Sequence, residues 1–137
     1  MTKKLRVVVD TNVFVSALLG GRCREIFEAF ADLKFILIVS EDIAEEFRRV
    51  FLKERLKNLS ASEAEWLLAA IQLNCDLIKP DKSFNLCRDP KDNCIIEAAL
   101  AADADFIVTG DKDLLVISLE AVPIISPREF IKILKTR

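Results

Sequence analysis

Two aspartates of this chain stand just after short apolar runs, where acidic side chains are well placed for metal chemistry. Asp10 follows the three valines at 7–9, and Asp111 follows Ile-Val-Thr-Gly at 107–110. Short, β-branched apolar runs predict buried strands, and the carboxyl ends of parallel strands gather at one edge of a sheet. We therefore expect both carboxylates at the same edge, with Asp113 beside them.

A third carboxylate is placed by the helical pattern that follows Ser40. Ile43 and Phe47 belong to its apolar stripe. At about 100° per residue, Glu46 borders this stripe, whereas Glu45 lies on the far side. We expect Glu46 to lean over the sheet edge and Glu45 to be solvated. The alternative for Glu46 is an ordinary charge at the boundary of a buried face.

A fourth carboxylate opens the helix predicted over residues 92–102. Asp92 lies on the same azimuth as Ile95 and Ile96, so it should face the sheet in the first helical turn, whereas Glu97 points away. Its alternative role is that of a capping carboxylate, since acidic groups are favourable at a helix N-terminus.

Several carboxylates in one cleft repel one another unless some are protonated or a cation neutralises them. Oxygen ligands alone favour hard ions, here Mg²⁺ or Mn²⁺. Such an ion lowers the pKa of bound water and screens phosphate oxygens. The pattern therefore favours metal-assisted phosphodiester hydrolysis.

The composition excludes several other chemistries. The chain has no histidine, which removes Ser-His-Asp and Cys-His catalysis and the usual neutral-pH base. The four cysteines, at 23, 75, 87 and 94, form no C-x-x-C motif. A structural zinc site is therefore not expected, and the thiols are interpreted as small buried hydrophobes. The net charge of −2 excludes a generic basic nucleic-acid binder.

The elements that must position these residues alternate along the chain. Strands are predicted at 5–9, 35–39, 76–78, 106–108 and 122–125, and helices at 13–19, 23–31, after Ser40, after Ser60 or Ser62, at 92–102 and at 127–135. This alternation is typical of an α/β domain with a mainly parallel central sheet flanked by helices. We expect a single domain over residues 1–137, and a cytoplasmic protein because no signal peptide or long apolar run is evident.

Four segments resemble a known family when they are taken in order. They are residues 7–13, Val-Ser at 39–40 with Glu-Phe at 46–47, Asp-Pro-Lys-Asp-Asn at 89–93, and Val-Thr-Gly-Asp-Lys-Asp-Leu-Leu at 108–115. This set resembles a PIN domain, in the branch of VapC-like toxins of toxin–antitoxin pairs. The resemblance implies a Mg²⁺- or Mn²⁺-dependent endoribonuclease, an antitoxin protein as partner, and a homodimer.

The resemblance also assigns roles to individual positions. It implies an acidic catalytic and metal-binding quartet at Asp10, Glu46, Asp92 and Asp111, with Asp113 as an accessory metal ligand. It implies neighbouring polar groups that orient carboxylates or water at Asn12, Ser40 and Thr109.

Basic and aromatic residues near this site have two interpretations each. Arg48 and Arg49 begin a basic run, and Arg22 and Arg24 follow a Gly-Gly break. All four are candidates for binding RNA phosphates, and their alternative is a solvated surface. Trp66 stands at helical spacing, which favours a core or interface position over a base-stacking platform.

Two other functions use part of the same pattern. A haloacid-dehalogenase-like phosphatase also has an aspartate after its first strand, but needs a second aspartate two places later, where this chain has Asn12. A catalytically silent module that binds metal or RNA is the alternative outside the enzymes.

Overall fold

The computed structural model describes residues 3–21, 23–55, 61–81, 83–85 and 87–137. Within them, five parallel strands form one sheet in the order β3-β2-β1-β4-β5. The strands are β1 Arg6–Val9, β2 Ile36–Val39, β3 Asp76–Leu77, β4 Phe106–Val108 and β5 Ile124–Ile125. The predicted α/β architecture with a parallel central sheet is confirmed.

Helices connect these strands. They are α1 Thr11–Leu18, α2 Arg24–Ala31, α3 Glu41–Arg55, α4 Ala61–Asn74, α5 Pro90–Ala102, α6 Lys112–Leu115 and α7 Pro127–Lys135. The helix α6 was not predicted, because four residues are too few to show a helical period. Of the two predicted caps of α4, Ser60 lies outside the described residues, and Ser62 lies within the helix and not before it.

Local capping explains where two of the helices begin. Asp89 accepts a hydrogen bond from the backbone N–H of Lys91 at 3.0 Å, and Pro90 follows it, so α5 starts two residues earlier than predicted. At α7, the predicted capping box is confirmed: Ser126 and Glu129 exchange hydrogen bonds with each other's backbone N–H.

The strand order places a crevice at the carboxyl end of β1. The chain passes from β1 to β2 on one side and returns to β4 on the other, so the connections diverge at this point. In open parallel sheets, such a divergence leaves room for a ligand beyond the strand ends. The backbone N–H of Asp10 donates to the carbonyl of Val108 at 2.9 Å, which extends the β1–β4 pairing to the rim of the crevice.

A phenylalanine cluster anchors the helices that surround the crevice. The ring of Phe14 on α1 meets Phe30 edge to face with centroids 5.9 Å apart, and meets Phe47 on α3 at 5.8 Å. Phe51 stacks on Phe47 at 5.7 Å. All four rings are buried. The side chain adjacent to Glu46 is thus fixed in the core.

The cysteines are all free; Cys23 is buried, and the other three are half-buried. The interpretation as small buried hydrophobes therefore holds fully only for Cys23. In the described part of the chain, we find no helix with the length and apolar character that crossing a membrane requires.

Replacing Phe47 with alanine should lower the free energy of unfolding by about 3–5 kcal/mol, because a fully buried aromatic side chain is lost from the core. Urea denaturation measures this change. The matched control is Leu73→Ala, since Leu73 is 83% exposed and its truncation should change stability by about 0.5 kcal/mol or less. Equal losses in the two variants would contradict the anchoring of α3 through Phe47.

Candidate active site

Asp10 is a buried carboxylate at the end of β1, held by two hydrogen bonds. One of its oxygens accepts the backbone N–H of Asn12 at 3.2 Å, which caps α1, and the other accepts the Thr109 hydroxyl at 2.8 Å. Burial raises the pKa of Asp10, and the charges of Asp111 and Glu46 raise it further, while the two hydrogen bonds act in the opposite direction.

Thr109 joins two of the predicted carboxylates. Its hydroxyl donates to Asp10, and the same oxygen accepts the backbone N–H of Asp111 at 3.0 Å. Asp111 in turn caps α6 by accepting the backbone N–H of Asp113 at 2.9 Å. Thr109 is fully buried, so the positions of Asp10 and Asp111 depend on one enclosed hydroxyl.

Asp92 lies in the first turn of α5, where negative charge surrounds it. Burial, followed by the charges of Asp111, Asp10 and Asp89, raises the pKa of Asp92 to about 7. A carboxyl group perturbed this far by burial and like charges in a cleft is typical of a functional site.

Glu46 enters the same cleft from α3 and forms an ion pair with Arg49 one turn later. Glu45 also lines the cleft, although it is exposed as predicted. The prediction that Glu45 is solvated is therefore correct, but it did not include the contact with the cleft, which reaches both Glu45 and Glu46.

These four carboxylates line one cavity of about 550 Å³. Besides Arg49, which the sequence analysis named, the wall contains charged or thiol residues that it did not assign to the site. They are Asp42, Glu45, Asp89, Lys91 and Cys94. Asp42 lies in the first turn of α3, and Asp89 caps α5. In the sequence, such acidic residues indicate where a helix begins, but they do not indicate which other element packs against it. The Cys94 thiol, for example, donates to Asp42 on another helix at 3.9 Å.

Of the predicted accessory residues Asp113, Ser40 and Asn12, only Asn12 lines the cleft. Asp113 is exposed and is not among the described residues that line the cleft. Ser40 is buried and caps α3, accepting the backbone N–H of Ile43 at 3.3 Å. Asn12 lines the cleft, and its backbone N–H contacts Asp10.

The predicted RNA-binding arginines lie on different parts of the surface. Arg49 lines the cleft, whereas Arg48 lines an adjoining groove between α3 and β3. Arg24 pairs with Glu63 at 2.7 Å and lies over the ring of Phe27 at 4.6 Å. Arg22 lies outside the described residues.

Trp66 is 46% exposed, and its ring centroid lies 5.5 Å from that of Phe27. It therefore packs at the edge of the α2–α4 contact. It does not line the carboxylate cleft described above.

The donor set suits a hard divalent cation, but the side chains are not arranged as a metal cage. Within residues 3–21, 23–55, 61–81, 83–85 and 87–137, no group of three or more acidic or cysteine side chains is positioned to hold a metal ion. Two of the four carboxylates have partners within the protein: Glu46 pairs with Arg49, and Asp10 accepts the Thr109 hydroxyl. Burial, and then the charges of Asp111, Asp10 and Asp89, raise the pKa of Asp92, and a bound cation would offset the repulsion among these carboxylates.

Comparison with known proteins identifies the family of this chain. A family model described as PIN domain matches residues 6–113. The uncharacterized protein MJ1680 of Methanocaldococcus jannaschii is 36% identical over 116 residues, which cover 82% of this chain and 74% of that protein. The chain therefore belongs to the PIN domain family.

Three solved structures share the fold. PAE2754 from Pyrobaculum aerophilum has a TM-score of 0.65 at 14% identity, covering 98% of this chain and 91% of that one. VapBC2 from Rickettsia felis, bound to a DNA fragment from its promoter, has a TM-score of 0.57 at 15% identity, covering 89% and 98%. The PIN domain endonuclease Utp24 has a TM-score of 0.50 at 18% identity, covering 88% and 84%.

The Asp92→Asn variant should gain thermal stability relative to the wild type as the pH rises from about 4.5 to about 8.5 in EDTA. The pKa of Asp92 is about 7 in the folded protein and about 3.9 in an unfolded chain. Between these values the folded state binds more protons, so the wild type loses stability as the pH rises. Asparagine does not ionise and avoids this loss.

Thermal melts across this pH range measure the difference. Asp32→Asn is the matched control, because Asp32 is exposed and does not line the cleft. The stability gain of Asp92→Asn should grow with pH and exceed that of the control. A gain that stays constant with pH would contradict the assigned electrostatics.

Proposed function

We propose that this protein is a metal-dependent endoribonuclease, the toxin of a toxin–antitoxin pair, that hydrolyses RNA phosphodiester bonds. The observation that carries this proposal is the convergence of Asp10, Glu46, Asp92 and Asp111, from four different elements, on one cleft at the carboxyl edge of the sheet. Membership of the PIN domain family supports nuclease chemistry at this position.

These four carboxylates would hold Mg²⁺ or Mn²⁺. Asp113, which follows Asp111 but does not line the cleft, is the candidate for an accessory ligand at its edge. When bound, such an ion activates water for attack and stabilises charge on the phosphate. Thr109 is the positioning residue, since its hydroxyl donates a hydrogen bond to Asp10 and accepts one from the backbone N–H of Asp111.

Cationic side chains in the cleft are suited to the RNA backbone. Arg49 and Lys91 both line it, and phosphate contacts by such groups orient a nucleic acid without reading its sequence. The net charge of −2 makes this local arrangement necessary, because the protein as a whole offers no attraction to a polyanion.

The proposed partners are a small antitoxin and a second copy of the chain. The similar fold of VapBC2, a complex captured on its own promoter DNA, supports a toxin–antitoxin role. An antitoxin that covers the carboxylate cleft would exclude RNA from it.

The decisive substitution is Asp10→Asn, which removes one charge with little change of shape. Cleavage of a mixed RNA pool should depend on Mg²⁺ or Mn²⁺, stop in EDTA, and fall about 100-fold or more in the variant, since even outer-shell partners of a metal contribute about 10–100-fold. Products should carry 3′-hydroxyl and 5′-phosphate ends, because water and not the ribose 2′-hydroxyl attacks.

The control for this experiment is Asp32→Asn, which should cleave like the wild type because it removes an exposed carboxylate outside the cleft. Cyclic 2′,3′-phosphate ends would contradict the mechanism. A folded wild type that binds metal and RNA without cleaving the RNA would instead support a silent binding module.

Arg49→Gln should change metal and RNA binding in opposite directions. The substitution releases Glu46 from its ion pair and removes a positive charge from the cleft, so Mn²⁺ should bind more tightly, by roughly three- to tenfold. RNA should bind more weakly, because one phosphate contact is lost.

Isothermal calorimetry with Mn²⁺ and RNA binding in EDTA measure the two effects separately. The matched control is Arg48→Gln, one residue away, because Arg48 lines the neighbouring groove and not the cleft. Unchanged Mn²⁺ affinity in Arg49→Gln would show that the Glu46–Arg49 pair does not restrain the metal ligand.

A further inference from the structure

The groove over the carboxylates continues beyond the cleft into a second cavity. This cavity has a volume of about 410 Å³ and shares Asp10, Asn12 and Asp111 with the cleft. Its other described lining residues are Val13, Ser16, Cys23, Gly110 and Pro127. We call this second cavity the neutral arm, because none of its described lining residues is charged apart from Asp10 and Asp111, which it shares with the cleft. The side of the cleft that contains Arg49 and Lys91 is the charged arm.

Helix α1 presents two polar side chains to the neutral arm. Asn12 and Ser16 are four residues apart, so they lie on one face of the helix, one above the other. Neither the amide of Asn12 nor the hydroxyl of Ser16 forms a hydrogen bond with any residue that the structure describes. Both groups can donate and accept, and both are therefore available to a ligand.

Two glycines shape the space around these groups. A Cβ at Gly21 would lie 2.9 Å from the Ser16 Oγ, so only glycine lets the chain after α1 pass without displacing that hydroxyl. A Cβ at Gly110 would meet nothing within 4 Å. The wall at Gly110 is thus open, and the volume falls within the range of about 300–1,000 Å³ that is usual for small-ligand sites.

The two arms differ in the chemistry that they offer to a polynucleotide. Phosphates only accept hydrogen bonds and carry charge, which matches Arg49 and Lys91 in the charged arm. A ribose or a base edge both donates and accepts, and it has apolar faces. These features match Asn12 and Ser16 beside Val13 in the neutral arm.

We propose that the neutral arm binds the nucleoside that adjoins the scissile phosphate, with Asn12 and Ser16 as the residues that recognise it. The inference rests on the proposed function, because it takes the phosphate between the two arms to be the one that is cut. The strand then runs from the neutral arm, over Asp10 and Asp111, to the charged arm.

The test titrates the full chain, in the presence of Mg²⁺, with nucleoside 5′-monophosphates or with inorganic phosphate. Amide chemical shifts measured by NMR report where each probe binds. Adenosine, cytidine, guanosine and uridine 5′-monophosphates should shift the amides of Ser16, Cys23 and Gly110. Inorganic phosphate should shift only amides of the charged arm. Repeating the titration with 2′-deoxynucleotides separates recognition of the ribose from recognition of the base.

Three variants make the result specific. Gly110→Val should weaken nucleotide binding about tenfold or more by filling the arm, and Ser16→Ala should weaken it about three- to tenfold by removing one hydrogen bond. Ala31→Val is the control, because it adds bulk at an exposed position that lines neither arm. Both cavity variants should retain the Mn²⁺ affinity and thermal stability of the wild type.

The neutral-arm inference is overturned if nucleotides shift the same amides as inorganic phosphate, or if Gly110→Val binds nucleotides like Ala31→Val. This outcome differs from failure of the proposed function. RNA cleavage that depends on Asp10, without nucleotide shifts in the neutral arm, would overturn the subsite alone. Nucleotide binding in the arm without any RNA cleavage would overturn the nuclease proposal alone.

Discussion

Repulsion between carboxylates at one sheet edge is the constraint around which this structure is organised. Asp10 and Asp92 both have raised pKa values, because burial and neighbouring negative charges penalise their ionised forms. The fold offsets part of this cost through backbone donors. Asp10 caps α1 and Asp111 caps α6, so two members of the cluster also satisfy helix N-termini that would otherwise lack partners. Capping and site formation are therefore two roles of the same side chains.

Other contacts within the protein also offset part of the repulsion in this cluster. Thr109 supplies a buried hydroxyl between Asp10 and Asp111, and Arg49 neutralises Glu46. Each of these contacts engages a carboxylate that lines the cleft. A divalent cation would compete with these internal partners, so its affinity would depend on residues that are not ligands themselves. The asymmetry of the surrounding groove, charged on one side and neutral on the other, then determines how a polyanion could lie across the edge.

The sequence predicted the elements well and the surroundings of the site less well. The strand at 106–108 and the capping box at Ser126 agree with the structure, since both depend on residues that are close together in the sequence. The helix α6 was missed, because four residues show no periodicity. Glu45 is exposed as predicted, but its azimuth did not indicate that it also lines the cleft. Arg24 was a candidate for RNA, but it pairs with Glu63, which lies on another helix and gives no signal near residue 24.

The sequence by itself determined the alternation of strands and helices, the absence of histidine chemistry, and the four acidic positions that the ordered motifs indicate. These features are encoded in residue type and short-range spacing. Only the tertiary structure decided which groups meet. The bond between Thr109 and Asp10 spans 99 positions, and the second cavity joins α1 to Pro127, the first residue of α7. Such contacts depend on strand order and on the packing of helices across the sheet, and no local pattern specifies either, because neighbours in space need not be neighbours in the chain.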